Sequence, residues 1–169
     1  MNAREAPARI AIGSDDVGLE LKEAIAAHLR GLPGHPVRCL DVTQVGEQDL
    51  DVPEVAQLVA ESIRRGEADR GILVCGSGVG MVIAANKVPG IRAAQCHDVY
   101  TAEHARNSDD AQIMVLGSRV IGSELAKKVV EAWLTADFEP NQRRRRRMAK
   151  LQVLERSYLR PTPRSGPRR

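Results

Sequence analysis

The stretch Gly71-Ile-Leu-Val-Cys-Gly-Ser-Gly-Val-Gly80, followed by Met81-Val-Ile-Ala-Ala-Asn-Lys87, decides the fold of this chain. Its apolar residues 72–75 predict a buried strand, the alanine-rich run predicts a helix, and the glycines between them predict a tight turn. Such a turn aims free backbone N–H groups and the positive end of a helix at one point. Cys75 lies at the edge of that point, where a simple anion-binding loop needs no thiol. We therefore expect a reaction that removes a proton and stabilises the resulting oxyanion.

The same alternation of strand and helix continues along the chain. Strands are predicted at residues 8–13, 37–42, 72–75, 91–96 and 113–116. Helices are predicted at residues 19–29, 53–63, 79–87, 100–107, 122–135 and 142–158. Only four residues are aromatic, so the core must consist of Val, Ile, Leu and Ala, which suits strands that are buried on both faces. The pattern predicts an α/β, Rossmann-like three-layer sandwich with a five-stranded parallel sheet and an extra C-terminal helix.

Length and composition predict one enzyme-sized domain. We assign residues 1–158 of the 169-residue chain to a single domain and predict a disordered basic tail at 159–169. The three cysteines are widely spaced and lack a CxxC pattern, which favours neither a disulfide framework nor a zinc site. The first residues are polar and no apolar run approaches the roughly 18 residues of a membrane span. We expect a cytoplasmic protein without a membrane partner.

The positive charge is concentrated at the C-terminus. The net charge is +3, but residues 143–147 are five consecutive arginines and five more arginines follow, so the chain before residue 142 is acidic on balance. A basic arm of this kind can bind nucleic acid. No helix-turn-helix, zinc finger or aromatic-studded basic surface accompanies it, so the pattern disfavours a nucleic-acid partner.

Polar residues follow the predicted strands where the carboxyl ends of a parallel sheet form the site. They are Asp15, Asp16, Asp41, residues 75–80, His97, Asp98 and residues 117–119. A dinucleotide site is the obvious competitor. Its GxGxxG pattern fails at Met81, and the chain carries no GxxxxGK[ST] sequence, so nucleotide binding is disfavoured.

With these residues in place, the sequence resembles the ribose-5-phosphate isomerase B and galactose-6-phosphate isomerase family over residues 9–158. The resemblance is carried by Ile12-Gly-Ser-Asp15, Gly18, Leu21-Lys22, Ile72-Leu-Val-Cys-Gly-Ser-Gly-Val-Gly80, Ala84-Ala-Asn-Lys87, Gly90-Ile-Arg-Ala93, His97-Asp98 and Leu116-Gly-Ser-Arg119-Val-Ile-Gly122. It implies interconversion of an aldose phosphate and a ketose phosphate through a cis-enediolate, without metal or other cofactor. It also implies a homodimer, or a dimer of dimers, whose active sites are each built from two subunits.

The resemblance also implies roles for the residues of the glycine-rich loop. Cys75 is the base that moves a proton between C1 and C2. Ser77 and the backbone amides of Gly76, Gly78 and Gly80 hold the enediolate oxygen, and the Ser77 hydroxyl can shuttle a proton between the substrate oxygens. A non-catalytic sugar-phosphate-binding paralogue remains the alternative, against which the retained Cys75 argues.

Other implied substrate contacts come from strand ends and the last helix. Asp15 matches a carboxylate that binds substrate hydroxyls, although a turn-forming or capping role explains it almost as well. His97 either contacts substrate or has a structural role. The family grips phosphate with two arginines one helical turn apart, which matches Arg143 and Arg147, although an ungapped count from Trp133 gives residues 142 and 146 instead.

Two departures from the family pattern bear on the substrate. Asp16 stands where many relatives carry a histidine, and Ser108 stands at the position of the histidine that opens the furanose ring. Serine cannot act as an acid–base group near neutral pH, although His104 one turn earlier could substitute. A tetrose 4-phosphate has no hydroxyl placed to close a five-membered ring. Together with the segment at 96–103, this favours the family branch acting on erythrulose 4-phosphate over ribose 5-phosphate.

Overall fold

The computed structural model describes residues 7–43 and 50–159. The strands are β1 (Ala8–Ser14), β2 (Val37–Asp41), β3 (Arg70–Cys75), β4 (Ala93–Gln95) and β5 (Ile113–Gly117). The helices are α1 (Leu19–Arg30), α2 (Val52–Arg64), α3 (Val79–Ala85), α4 (Val99–Asn107), α5 (Ser123–Thr135) and α6 (Gln142–Leu159). The predicted basic tail lies, from residue 160 onward, outside the described residues.

The five strands form one parallel sheet in the order β2-β1-β3-β5-β4. Side chains of α1, α4 and α5 pack on one face, and side chains of α2 and α3 pack on the other. This confirms the predicted three-layer sandwich with an additional C-terminal helix. β4 is shorter than predicted because only residues 93–95 pair with β5.

The alternation of side chains along β3 determines which layer each residue joins. Ile72 and Val74 belong to the core under α1, α4 and α5. Leu73 and Cys75 belong to the core under α2 and α3. All six residues of β3 are buried, as expected of a central strand in a sheet covered on both faces.

Local sequence explains where two helices begin. Asp51 caps α2 through a capping box with Glu54, and Pro53 occupies the first turn, where its missing N–H costs nothing. Asp98 caps α4 by accepting a hydrogen bond from the Thr101 N–H at 2.7 Å. Both helices pack on the sheet. Each cap fixes the residue at which its helix begins.

The last helix is attached differently from the others. None of its 18 residues is buried. Its described links to the body include Glu155, whose Oε1 accepts from the Gly90 N–H at 2.8 Å, and Arg147 near the end of α4. Its later part exposes apolar side chains, listed here: Leu151, Val153, Leu154, Tyr158 and Leu159. Among the described residues, no helix combines the length and apolarity needed to cross a bilayer.

Candidate active site

The centre of the candidate site is the turn between β3 and α3. The turn lies at the carboxyl end of β3, beside the point between β1 and β3 where the strand order reverses, and ligands bind at such points in open α/β sheets. Cys75 ends β3 with 4% of its surface exposed, and its Sγ accepts a hydrogen bond from the Gly78 N–H at 3.1 Å. A backbone N–H directed at sulfur stabilises the negatively charged thiolate. The loop therefore directs one backbone N–H donor at the sulfur.

Two glycines allow the loop to sit this close to the neighbouring strands. Gly78 has φ of +84°, and a Cβ there would lie 2.9 Å from the Gln95 Nε2. A Cβ on Gly117 would lie 2.7 Å from the backbone of Ser77. A larger residue at Gly117 would push the loop away from β5, and at Gly78 the positive φ disfavours any residue that carries a Cβ.

Gln95 is a site residue that the sequence analysis missed. Its Nε2 donates to the Ser77 backbone oxygen at 2.6 Å and fixes the loop from the side of β4. The available signal was its position: it is the last residue of a strand whose carboxyl end meets the site. The predicted strand 91–96 extends one residue beyond Gln95, which hid its place at the end of the strand.

The rest of the loop is anchored to the turn after β5. The Ser118 N–H donates to the Cys75 oxygen at 2.8 Å, and the Arg119 N–H donates to the Gly76 oxygen at 3.0 Å. The Ser77 Oγ accepts from the Val79 N–H at 3.2 Å. The structure thus brings Cys75, Ser77 and the glycines at 76, 78 and 80 together in one turn, as the sequence predicted.

Asp15 lies at the carboxyl end of β1 and shapes the turn that leads into α1. Its Oδ1 accepts from the Gly18 N–H at 2.8 Å. Burial raises the pKa of the Asp15 carboxyl, with smaller opposing contributions that include the Gly18 hydrogen bond. The structural role that the sequence left open is therefore observed. The proposed contact with substrate hydroxyls is additional to it.

His97 is fixed by the backbone of β5. Its Nε2 accepts from the Gly117 N–H at 2.9 Å, so the proton of the neutral ring is on Nδ1. Burial lowers the pKa of His97, and the charge of Asp98 opposes this shift. The ring is thereby held neutral beside the residues that pack against the Cys75 loop.

We expect this histidine to contribute a pH-dependent stability. Its folded pKa is lowered from the ordinary value of 6.5, so the unfolded chain takes up the proton first as pH falls. The free energy of unfolding should decline below pH 6.5, and His97→Gln should remove that component. Urea titrations between pH 8 and about 5 measure it. His35→Gln, at an exposed loop position, is the control that should retain the decline; an unchanged decline in His97→Gln would contradict the assignment.

The arginines of α6 form a separate cleft of ≈ 320 Å³. Its lining residues are His104, Ser108, Asn141, Arg143, Arg144 and Arg147. Both arginines of the preferred pairing, Arg143 and Arg147, line it, whereas Gln142 and Arg146 do not. The Arg147 Nη1 lies 3.1 Å from the Asp109 Oδ1 and 3.4 Å from the Ser108 Oγ. Arg144 pairs with Glu139 at 2.8 Å.

The cleft lies toward the amino ends of the strands, and the Cys75 loop lies at their carboxyl ends. Cys75 pairs with Gly117 at the end of β5, whereas Asp109 precedes the first residue of β5, Ile113. The four-residue advance from 113 to 117 alone spans about 13 Å. Within one chain the two features are therefore separated along the direction of the strands.

The described residues contain no side-chain cluster of the kind that binds metal ions. Across residues 7–43 and 50–159, no three His, Cys, Asp or Glu side chains are grouped closely enough to hold a metal ion. The chemistry available at the loop consists of one thiol, one hydroxyl and several backbone N–H donors. Such a set can move protons and stabilise an oxyanion.

Comparison with known proteins agrees with this geometry. The model of the Ribose/Galactose Isomerase family matches residues 10–151. A D-erythrulose-4-phosphate isomerase from Pectobacterium atrosepticum is 50% identical over 130 residues, which cover 77% of this chain and 84% of that protein. Ribose-5-phosphate isomerase B from Escherichia coli is 44% identical over 140 residues, which cover 82% and 91% of the two chains.

The fold agrees as closely. The structure of Clostridium thermocellum ribose-5-phosphate isomerase B superimposes with a TM-score of 0.79 at 43% identity, covering 89% of this chain and 99% of that one. Sequence family, sheet topology and the composition of the Cys75 loop therefore lead to one assignment. This chain belongs to the Ribose/Galactose Isomerase family and is a sugar-phosphate isomerase.

Proposed function

We propose that the protein interconverts the aldose and ketose forms of a four- or five-carbon sugar phosphate through a cis-enediolate. The hydrogen bond from the Gly78 N–H to the Cys75 Sγ, 3.1 Å long, is the observation that carries this proposal. In this proposal the hydrogen bond stabilises the thiolate form of Cys75, which is the form that acts as the base, beside the N-terminus of α3. Further N–H groups of the same turn are available for the oxygen that gains negative charge.

In the proposed reaction, the Cys75 thiolate removes the proton from C2 of the aldose, and the electron pair forms the enediolate double bond as O1 takes up charge. The loop amides of Gly76 and Gly80 and the Ser77 hydroxyl hold that oxygen. The Gly78 N–H turns from the sulfur to the same oxygen once the thiolate has taken up the proton and become a neutral thiol. Ser77 moves a proton between O1 and O2. The thiol then returns its proton to C1, which gives the ketose and regenerates the thiolate.

The phosphate is proposed to bind Arg143 and Arg147. Two guanidiniums one helical turn apart lie on one side of α6 and can take a phosphate through paired hydrogen bonds. Within one chain this cleft lies toward the amino ends of the strands, whereas Cys75 lies at a carboxyl end. We therefore assign the two arginines that bind phosphate over each Cys75 loop to a neighbouring subunit. The protein would then be a homodimer or a dimer of dimers with shared sites.

Exposed apolar surface supports this assembly. An isolated helix gains little stability in water without packing of its apolar face, yet α6 leaves Val153, Leu154 and Tyr158 exposed. Ile83, on the helix that follows the Cys75 loop, and Tyr100, at the start of α4, are also exposed. Contiguous exposed apolar surface is typical of an interaction site. In the proposed dimer, a second copy of the chain covers these residues and brings its own α6 to the Cys75 loop of the first.

The proposed substrate preference is for erythrulose 4-phosphate over ribose 5-phosphate. Ser108 lines the arginine cleft, at the position where the resemblance expects a ring-opening histidine. A serine hydroxyl supplies no acid–base group near neutral pH, which suits a substrate that is already acyclic. The relative from Pectobacterium atrosepticum, named for erythrulose 4-phosphate, supports the same choice.

An isomerase assay across four-, five- and six-carbon sugar phosphates tests the proposal. Products should be identified by NMR so that epimerisation is distinguished from aldose–ketose conversion. We expect turnover to a ketose or aldose partner with the four- or five-carbon compounds. Absence of turnover on every compound, in a folded preparation, would overturn the proposed reaction.

A further inference from the structure

Asp109 places a negative charge beside Arg147, one of the arginines that line the cleft. Its Oδ1 lies 3.1 Å from the Arg147 Nη1, and its Oδ2 lies 4.0 Å from the His104 Nε2. The carboxylate is therefore a negative charge in contact with one of the two arginines assigned to the phosphate.

We propose that Asp109 competes with the substrate phosphate for Arg147 and thereby sets the affinity of the cleft for phosphate. The inference rests on the proposed phosphate-binding role of this cleft. A carboxylate offers the guanidinium the same planar acceptor geometry as two phosphate oxygens. In the empty cleft Asp109 occupies that donor, and the incoming phosphate displaces it.

The pair is weak enough to be displaced. The side chains of Arg147 and Asp109 are 41% and 42% exposed, and exposed ion pairs contribute little net stability because water screens them. A phosphate dianion carries more charge and more acceptor oxygens than the carboxylate, so it binds the guanidinium more strongly. The displaced carboxylate still lies near the phosphate, and this like-charge repulsion lowers the affinity further.

The other arginines of the cleft show where phosphate arrives first. Arg144 is paired with Glu139, and within the described residues Arg143 has no carboxylate partner. Arg143 is therefore the guanidinium immediately available to an incoming phosphate. Exchange of Asp109 for phosphate at Arg147 then completes the two-arginine grip.

The test is the affinity of Asp109→Asn for inorganic phosphate, measured by calorimetry at low salt. The substitution keeps the shape of the side chain, and the backbone oxygen of residue 109 stays bonded to the Arg92 Nε at 3.1 Å. We expect phosphate to bind about three- to tenfold more tightly, and KM for the sugar phosphate to fall by a larger factor than kcat changes. Glu124→Gln, which removes the same charge from an exposed pair on α5, should not alter either quantity.

The outcomes separate this inference from the function on which it rests. If Arg147→Ala weakens phosphate binding and Asp109→Asn leaves it unchanged or weakens it, Asp109 is not a competitor and instead orients Arg147. If Arg147→Ala binds phosphate as well as the wild type, the phosphate site itself has been placed wrongly. Tighter binding in Asp109→Asn that is matched by Glu124→Gln would reflect net charge alone and would also overturn the inference.

Discussion

Replacing Cys75 with alanine is expected to lower kcat by at least about a hundredfold, because the proton between C1 and C2 loses its base. Alanine removes the sulfur that accepts from the Gly78 N–H but keeps the small volume at the end of β3. The loop is still held by the contacts of Ser77 with Gln95 and of Gly76 with Arg119. Folding and phosphate binding should therefore change little. Steady-state kinetics, circular dichroism and phosphate calorimetry on the same preparation measure all three.

Cys39→Ala is the matched control, since Cys39 is also a free cysteine but lies on β2, half-buried against the other core. It should retain wild-type kcat. A Cys75→Ala enzyme that keeps more than about a tenth of the wild-type rate would show that the thiol is not the base, because loss of an acid–base group costs more than that.

The second large effect concerns substrate size. We expect kcat/KM for erythrulose 4-phosphate to exceed that for ribose 5-phosphate by roughly 10²–10⁴, which is what one acid–base group supplies. Ribose 5-phosphate must be opened from its furanose form before C2 can be deprotonated. Ser108 cannot catalyse that step, whereas the four-carbon substrate does not require it. Initial rates on both sugars, expressed per total concentration of each sugar phosphate without correction for its open-chain fraction, give the comparison.

Two variants show which residue determines the difference in kcat/KM between the two sugars. Ser108→His should narrow it if the imidazole reaches the ring oxygen from its place in the arginine cleft. Equal efficiency of the wild type on both sugars would contradict the assignment, and loss of the ribose 5-phosphate activity in His104→Ala would then identify the group that opens the ring. His104 lines the same cleft and stacks on Tyr100 with ring centroids 5.6 Å apart.

Much of the fold could be predicted because local and global signals agree. The turn at residues 76–80 joins a short apolar strand to a helix, and repetition of that unit permits few topologies. β4 was less predictable. Its apolar run continues beyond the three residues that pair with β5, and pairing depends on a neighbour that the local pattern does not contain.

The site was predictable where it is local and less so where it is built across the chain. Cys75, Ser77 and the glycines occupy one turn, so their proximity follows from sequence order. Gln95 reaches Ser77 from β4, and Asp109 reaches Arg147 across 38 positions, so only the packing reveals these contacts. The sequence could not show which arginines share the cleft, because five identical consecutive residues do not indicate which side of the helix faces the body of the protein. The packing of α6 shows that Arg143 and Arg147 line the cleft.

The claim that one substrate spans two subunits is tested most directly by mixing inactive variants. Cys75→Ala and Arg143→Ala/Arg147→Ala chains would be combined in equal amounts, with subunit exchange verified by native mass spectrometry. In a closed two-fold dimer with shared sites, half of the random dimers are mixed and each has one intact site, so about a quarter of the wild-type activity should return. No recovery after verified exchange would contradict the shared site, because sites built within one chain would leave every mixed dimer inactive.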